Sequence, residues 1–510
     1  MIRLAYMDFK VFVSKMDLLI RQGRGSEVSQ ILKSTDLTRS PREIRASLAN
    51  ICLRVGMPEK TLTLLNRYVR AQGRSLVQPT SLEVKEYATA LIRVGAADEG
   101  IELVKNVNYN DVPEALLIGG IGHFTKWQYK RAIPLLRKYL GIKNLTDYQL
   151  AVGQVNLASA LIVENNLVEA EALLIKLLQD IGLREDYQLL IGNIFELLTQ
   201  ISIQQGDVKR TMFYIDRARK LNISSSSVSS LFLDKWEAVG LLFNPETKSE
   251  GLNKLYSTAE KARRLNHWET LRESHYFLSR AFNDEYSFLK VYFGTPFTKY
   301  RERMLSGYKD APDIPHEFVY HLKSPMLNYP SQLNIGMADM NGTPALAFGG
   351  LLHHLLKLLA TDFYRPFRVA HIFSMLFSEE YYHPSSSPLR VYQLIKRLRR
   401  ELDKQGIPLK IEHTIGGYRL SAVENISLLV DRGTHETESE PEEGRRQWLQ
   451  MEKLKAIYPT GSFDRKSIMR TLNISYRSSS RFVSWAIHQK RLLKVVDNNR
   501  VVYQWYKQAS

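Results

Sequence analysis

The chain has 510 residues, which is long enough for roughly two to four domains with separate cores. Its 70 Lys and Arg residues outnumber 53 Asp and Glu residues, and the net charge of +17 favours an anionic partner, nucleic acid before an anionic membrane surface. The single cysteine, Cys52, excludes a disulfide framework or a cysteine-based metal site within the chain.

The N-terminal stretch MIRLAYMDFKVFVSKMDLLIRQ lacks the uninterrupted apolar core, ending in small residues, of a secretory signal peptide. No run of about 18 apolar residues, the length needed to cross a membrane, occurs in the chain. Together with the lone cysteine, these features predict a cytoplasmic protein without a membrane partner.

Apolar residues recur at helical spacing from the start of the chain to about residue 305. An apolar helix, a short turn and a second apolar helix form a recurring unit, with Gly56, Gly95, Asn165 and Gly206 in the turns. A less regular copy beginning at Ile121 fills the remaining gap. The resulting period of roughly 39 residues is typical of helical-hairpin solenoids.

One amphipathic hairpin cannot bury its apolar face alone, whereas stacked hairpins can, and stacking produces a concave groove. The pattern resembles tetratricopeptide (TPR) repeats, although its period exceeds their usual length of about 34 residues and the full motif is missing. We therefore expect a TPR-like α-solenoid over residues 1–305, with a protein or peptide in its groove. A non-repetitive all-helical domain is the alternative.

The composition changes after residue 305. Residues 306–344 are rich in proline and predict a connector with a small hairpin turning at Asn341-Gly342. Helical patterns return between Gly350 and Lys404, and two short strand-like segments follow around Gly416-Gly417. Residues 433–444 are acidic and polar and predict a flexible linker. The expected units are thus 345–432 and 445–510.

The basic stretch PLRVYQLIKRLRREL, residues 388–402, predicts an amphipathic helix that Ser387 caps and Pro388 begins. Five apolar residues share one face at 100° per residue: Val391, Leu394, Ile395, Leu398 and Leu402. The opposite face is basic with one amide: Gln393, Lys396, Arg397 and Arg400, flanked by Arg390. Such a face suits the DNA major groove, where Arg and Lys reach guanine or phosphate and Gln reaches adenine. An ordinary solvated helix is the alternative.

Two helical patterns precede this basic helix and a predicted hairpin follows it, which is the order of a winged helix-turn-helix. The run LLHHLLKLLATDFYRPFRVAHIFSMLF, then VYQLIKRLRREL and IEHTIGGYRLSA, resembles the effector domain of OmpR/PhoB-type regulators over residues 345–432. The matching residues are Ile395, Arg397, Leu398, Arg399, Leu402, Thr414, Gly417, Tyr418, Arg419 and Leu420.

The resemblance implies that the basic helix enters the major groove with Gln393, Lys396, Arg397 and Arg400. It also implies a wing from His413 through Thr414 to Arg419 on the minor groove or the DNA backbone. The wing is shorter than the common form and lacks its arginine, and in this it is more similar to the SARP/AfsR subgroup. That subgroup joins the same winged helix to TPR-like helices, usually in the opposite order. The N-terminal half lacks the alternation of strands and helices that a phosphorylated receiver domain would show, so such a domain is not predicted.

The last unit, Arg445–Ser510, predicts a second winged helix with 14 Lys and Arg residues against three acidic residues. Asp464 is placed to cap one helix and Ser475 the next, and a hairpin turning at Asp497-Asn498-Asn499 follows. The helix after Ser475 has a predicted buried stripe of Phe482, Val483, Ala486 and Ile487. Its opposite face comprises Arg477, Arg481, Ser484 and His488, flanked by Ser480 and Trp485. The charge favours DNA, and a protein-interaction module is the alternative.

No constellation for catalysis, nucleotide binding or metal binding is evident. His353-His354 has no HExxH context and adjacent helical residues point to different faces, so we expect a helix-surface or packing role. Altogether the sequence predicts a mainly α protein without cofactor or enzymatic activity that regulates transcription by binding double-stranded DNA. The rival hypothesis is a TPR-type scaffold whose winged helices dock proteins. The oligomeric state, the operator and the signal stay open.

Overall fold

The computed structural model describes residues 9–70, 78–221, 227–307, 311–323, 331–378, 380–431, 445–460, 462–472, 474, 476–497 and 500–506. Over these ranges the protein is mainly α-helical, as predicted, with 23 α-helices and three small β-sheets. The predicted acidic linker, residues 433–444, lies outside the described residues, as do Ser475, Asn498 and Asn499. No helix in the described ranges combines the length and the apolar character needed to cross a bilayer.

Seventeen of the described α-helices precede the first strand, together with a short 3-10 helix at Glu185–Tyr187. They are α1 (Phe9–Arg21), α2 (Gly25–Ser34), α3 (Arg42–Arg54), α4 (Pro58–Val69), α5 (Ser81–Val94), α6 (Ala97–Val104), α7 (Glu114–Thr125), α8 (Tyr129–Leu140), α9 (Asp147–Val163), α10 (Leu167–Ile181), α11 (Gln188–Gln204), α12 (Val208–Lys220), α13 (Ser227–Leu242), α14 (Lys248–Arg264), α15 (Trp268–Phe282), α16 (Glu285–Phe293) and α17 (Thr298–Ser306).

Packing within this helical part follows chain order. From α1 to α16 each helix packs against the next, and alternate helices also pack together, as α3 does with α5, α5 with α7, α9 with α11 and α11 with α13. Apolar side chains fill the interior. Cys52 is fully buried there, and burial raises the pKa of its thiol to about 11, so the thiol stays protonated at neutral pH.

The turn residues chosen from the sequence all adopt left-handed backbone conformations. Gly56, Gly95, Asn165 and Gly206 have φ angles of 76°, 103°, 61° and 76°. Trp127, with φ 58°, occupies the corresponding turn of the less regular copy. Glycine and asparagine accept this conformation most readily, which explains why they punctuate the helical units.

The second half of the chain contains the other six described helices and all ten described strands. They are β1 (Glu317–His321), β2 (Gln332–Asn334), β3 (Asp339–Met340), β4 (Thr343–Pro344), α18 (Leu351–Leu359), α19 (Val369–Leu376), α20 (Ser387–Lys404), β5 (Leu409–Thr414), β6 (Gly417–Ala422), β7 (Ser427–Asp431), α21 (Arg445–Ile457), β8 (Ser462–Asp464), α22 (Arg465–Leu472), α23 (Tyr476–His488), β9 (Leu492–Asp497) and β10 (Arg500–Trp505).

A five-stranded sheet of order β1-β7-β2-β3-β4 joins segments far apart in the chain. Strand β7 pairs antiparallel with β1, where Val319 faces Leu429, and parallel with β2, where Leu333 faces Leu428. The β3–β4 hairpin turns at Asn341 and Gly342, both with positive φ, as a type I′ turn requires. The stretch predicted as a connector thus supplies four strands to a sheet whose fifth strand follows β6.

Two smaller sheets contain the hairpins that follow helices α20 and α23. Strands β5 and β6 form an antiparallel hairpin, and β9 and β10 form another that β8 extends in the order β8-β10-β9. The sequence predicted both hairpins but not the three-residue β8, which is too short to show a period of two.

Candidate nucleic-acid interface

Helix α20 has the buried apolar stripe that its sequence predicts. Val391, Leu398 and Leu402 are completely buried, and Leu394 and Ile395 are exposed by 4% and 2%. The helix begins at Ser387 rather than after it, so the prediction of Ser387 as the cap was wrong by one residue. The Ser387 hydroxyl instead accepts a hydrogen bond from the backbone N–H of His383 at 2.9 Å.

The opposite face of α20 is exposed and basic. Gln393, Lys396, Arg397 and Arg400 are all exposed. In the described part of the chain, no carboxylate lies within salt-bridge distance of Lys396, Arg397 or Arg400, whereas neighbouring ion pairs do form at both ends of the helix. The three cations are therefore available to phosphate or to base edges.

Two further arginines of α20 are engaged within the protein. Arg390 donates to Glu380 Oε1 at 2.9 Å and lies 3.9 Å above the Phe377 ring. Its hydrogen bond lowers the pKa of the Glu380 carboxyl. Arg399 Nη2 donates to the backbone oxygen of Ile411 at 2.6 Å and so ties α20 to β5. Arg390, predicted as a flanking DNA contact, would therefore have to give up this internal ion pair to contact DNA.

The β5–β6 hairpin, the predicted wing, turns at Ile415 and Gly416 and is attached to the chain before α19. Phe367 and Tyr418 exchange both backbone hydrogen bonds, at 2.7 and 2.9 Å. A Cβ on Gly417 would lie 2.1 Å from the backbone oxygen of Phe367, so only glycine fits. At the tip, Ile415 is 80% exposed, and no local sequence pattern identifies it as a surface residue.

The three predicted wing residues have different surroundings. His413 is exposed, and its ring centre lies 4.9 Å from that of Tyr418. Thr414 Oγ1 donates to the Gly417 carbonyl at 3.4 Å. Arg419 forms a cross-strand ion pair with Glu412 at 2.9 Å; although burial opposes it, this hydrogen bond lowers the pKa of the Glu412 carboxyl. Only part of the predicted wing surface is thus free of internal pairing.

Helix α23 in the last unit also has one buried and one exposed face. Phe482, Val483 and Ala486 are buried, whereas Ile487 is 37% exposed, so its place in the predicted stripe was wrong. Ser480 and Trp485 are half-buried at the flanks. The exposed face carries Arg481, Ser484 and His488, and the side chain of the fourth predicted residue, Arg477, lies outside the described part of the structure.

Side-chain hydrogen bonds hold the elements around α23. Asp464 caps α22, as predicted, because its carboxylate accepts from the backbone N–H of Ser467 at 2.8 Å, and this bond lowers its pKa. Arg465 donates to the hydroxyls of Tyr476 and Tyr503, at 2.7 and 3.1 Å, and so joins α22, α23 and β10. Trp505 Nε1 donates to the Tyr458 carbonyl at 2.6 Å.

Helix α19 packs against the end of α5, a contact that the sequence did not indicate. An added Cβ on Gly95 would lie 3.0 Å from His371 Cβ. Arg368 donates to the Arg93 carbonyl, and His371 Nδ1 lies 3.3 Å from the Gly95 oxygen. Arg368 and His371 thus satisfy carbonyls at the C-terminal end of α5, and the Arg368 cation also suits the negative end of the helix dipole. The helix before α20 is thereby attached to the helical part.

His353 has the packing role expected of it. It is buried, its Nδ1 accepts from the Gly349 N–H at 3.0 Å, and its Nε2 lies 2.8 Å from the Ile335 oxygen. Burial lowers the pKa of His353 to about 4, so the ring is neutral at pH 7. No group of three His, Cys, Asp or Glu side chains suited to a metal ion occurs among the described residues.

No family model matches the chain, and no curated protein is significantly similar to it in sequence.

Proposed function

We propose that the protein is a DNA-binding transcription regulator. In this proposal α1–α17 form a TPR-like solenoid that receives a protein or peptide signal. Residues 345–432 and 445–510 form two winged helices that bind double-stranded DNA, with α20 and α23 as their recognition helices. Alternate-helix packing and the left-handed turns support the solenoid. The helix order and the hairpins after α20 and α23 support the winged helices.

The observation that carries the proposal is the division of α20 into two faces. A buried stripe fixes the helix on its core, while Lys396, Arg397 and Arg400 remain exposed and unpaired with carboxylates of the described chain. Arg399 and the Phe367–Tyr418 pairing hold the hairpin beside the helix. A rigidly mounted basic helix beside a hairpin is the arrangement that reads a major groove.

The proposal is tested by binding of labelled double-stranded DNA, first fragmented genomic DNA and then any captured site, across a range of salt concentrations. The variant Arg397→Ala/Arg400→Ala should lower affinity at least about tenfold, and it should reduce the slope of log affinity against log salt by about 2. The matched control is Lys209→Ala/Lys248→Ala, which removes two exposed cations from the first turns of α12 and α14. An unchanged affinity and slope in the α20 variant would refute the role of this helix.

A protein-docking scaffold is the second candidate. It is favoured by the position of the β5–β6 turn, which lines a groove together with α3–α8. A hairpin that projects from the protein would be better placed to contact DNA. Capture of protein partners without affinity for random or genomic DNA at low salt would favour the scaffold.

A further inference from the structure

A large groove separates the helical part from α18–α20. One side runs from the α3–α4 turn at Gly56 to the start of α8, and the other comprises α18–α20 with the β5–β6 turn. Its volume is about 2900 Å³. Pockets for small molecules are typically about 300–1,000 Å³, so this groove has room for a segment of a polymer.

The carboxylates that line the groove are almost all neutralised within the protein. Lys126 pairs with Asp98, Arg70 with Glu99, Lys105 with Glu102, Arg390 with Glu380, and the buried Arg272 with Asp362. Glu59 is the one lining carboxylate without a salt bridge to a described residue, and it interacts electrostatically with Arg368. The negative charge of the lining is therefore largely compensated.

Part of the positive charge of the lining is not compensated by salt bridges. Five lining cations have no salt bridge with a carboxylate of the described chain: Arg93, Lys130, Arg131, Arg365 and Arg368. Burial, reinforced by the charge of Arg365, lowers the pKa of the neighbouring His371 to about 4, so this histidine is neutral at pH 7. A negatively charged occupant is attracted to both sides of such a groove.

Half-buried apolar side chains also line the groove, among them Ile121, Leu351, Val369, Met375 and Leu376. Aliphatic surface suits the side chains of a peptide, whereas single-stranded nucleic acid is bound by stacking its bases on exposed aromatic faces. Tyr381 and Tyr392 are the exposed tyrosines of the lining. The Arg70 guanidinium covers Tyr381, 4.0 Å from its ring centre, and the single remaining ring of Tyr392 cannot stack successive bases. The lining therefore favours a peptide over a nucleic acid.

We propose that this groove binds an acidic peptide segment of a partner protein, with Lys130 and Arg131 on one side and Arg365 and Arg368 on the other pairing with its carboxylates. The proposal rests on the proposed signal-receiving role of the helical part, and it specifies the chemistry of the signal. Because His413–Gly417 line the same groove, the bound peptide lies against the hairpin proposed to contact DNA.

The test measures fluorescence anisotropy of three labelled probes with the full-length protein: a short peptide of alternating Glu and Leu, a Lys–Leu peptide of the same length, and oligo-dT. The critical variant is Lys130→Glu/Arg131→Glu. Both residues are exposed in the first turn of α8, which contains no acidic residue, and glutamate there favours the helix dipole, so folding should be preserved. The control variant Lys209→Glu/Lys248→Glu makes the same charge change in the first turns of α12 and α14.

We expect the Glu–Leu peptide to bind, the Lys–Leu peptide not to bind, and the critical variant to lose at least about tenfold in peptide affinity while the control stays within about twofold. Absence of Glu–Leu binding, or an equal loss in both variants, overturns the proposal. Tighter binding of oligo-dT that the critical variant abolishes would assign the groove to nucleic acid instead. Duplex-DNA binding is measured separately on the same variants, and we expect it to be unchanged. If the wild type binds peptide but no duplex DNA, only the proposed DNA function fails.

Discussion

Arg272 Nη2 lies 2.9 and 2.8 Å from the two carboxylate oxygens of Asp362, and both side chains are buried. Asp362 Oδ1 also accepts from the backbone N–H groups of Tyr364 and Arg365, each at 2.9 Å. The pair joins α15 to the loop that leads into α19. It therefore fixes the position of the proposed DNA-binding unit on the helical part.

Asp362→Ala should destabilise the protein by about 3 kcal/mol, because the buried Arg272 guanidinium loses its buried partner and keeps an ion pair only with the half-buried Glu269. The double variant Arg272→Met/Asp362→Leu removes both charges and should lose less stability than the single variant. The measurement is urea-induced unfolding followed by circular dichroism. This account of the pair is contradicted if Asp362→Ala is as stable as the wild type. It is also contradicted if the double variant is less stable than Asp362→Ala.

Gly95→Ala should destabilise the protein by about 1–3 kcal/mol more than Gly56→Ala, the amount typical of overpacking at a tight contact. Both glycines follow a helix with positive φ, 103° at Gly95 and 76° at Gly56, so alanine strains the backbone at both positions. An added methyl group meets His371 at Gly95, whereas nothing lies within 4 Å at Gly56. Equal thermal unfolding midpoints for the two variants would show that α5 and α19 do not pack as closely as the structure indicates.

The buried His353 should make stability depend on pH. Its folded pKa of about 4 lies below the ordinary value of 6.5, so only the unfolded chain takes up a proton between these values. The stability that this residue contributes is present above pH 6.5 and is lost as the pH falls toward 4, at up to about 1.4 kcal/mol per pH unit. Burial also lowers the pKa of His275 and His371 to about 4, so His353→Gln should remove one of three such contributions and reduce the slope of unfolding free energy against pH across that window. A wild-type slope retained in the variant would assign the dependence to other groups.

The second basic unit should contribute to DNA binding independently of α20. Arg481→Ala removes one exposed cation from α23, and we expect a weaker affinity for all duplex sequences with a salt slope smaller by about 1. Lys209→Ala serves as the control for the loss of one positive charge elsewhere. If the Arg481 variant matches this control at every salt concentration, α23 makes no phosphate contact through Arg481.

The sequence predicted α20 well because its signals are local. An apolar residue at every third or fourth position, a proline near the start and cations on the opposite face are all contained in one helix. The turns at Gly56, Gly95, Asn165 and Gly206 were also predictable, since each needs a residue that tolerates positive φ. Local rules thus account for most of the helices.

Long-range contacts could not be predicted in this way. Strands β2 and β8 have three residues each, and β1 and β2 find their partner β7 only after α18–α20 have intervened. The pairing of Arg419 with Glu412, and of Arg390 with Glu380, depends on which side chains the folded chain brings together. Helical spacing selected Arg390 as a flanking DNA contact, and the resemblance to OmpR/PhoB-type regulators implied Arg419. Neither could show these internal partners.

The five-stranded sheet, which joins strands far apart in the chain, has a consequence for synthesis of the protein. Strands β1 and β2 leave the ribosome well before β7, which is separated from each of them by ~100 residues, and such distant pairings form late. Until β7 emerges, the nascent chain displays two unpaired strand edges, and the β3–β4 hairpin protects only one side of β2. A translational pause or a truncation before Ser427 would therefore leave an aggregation-prone nascent chain.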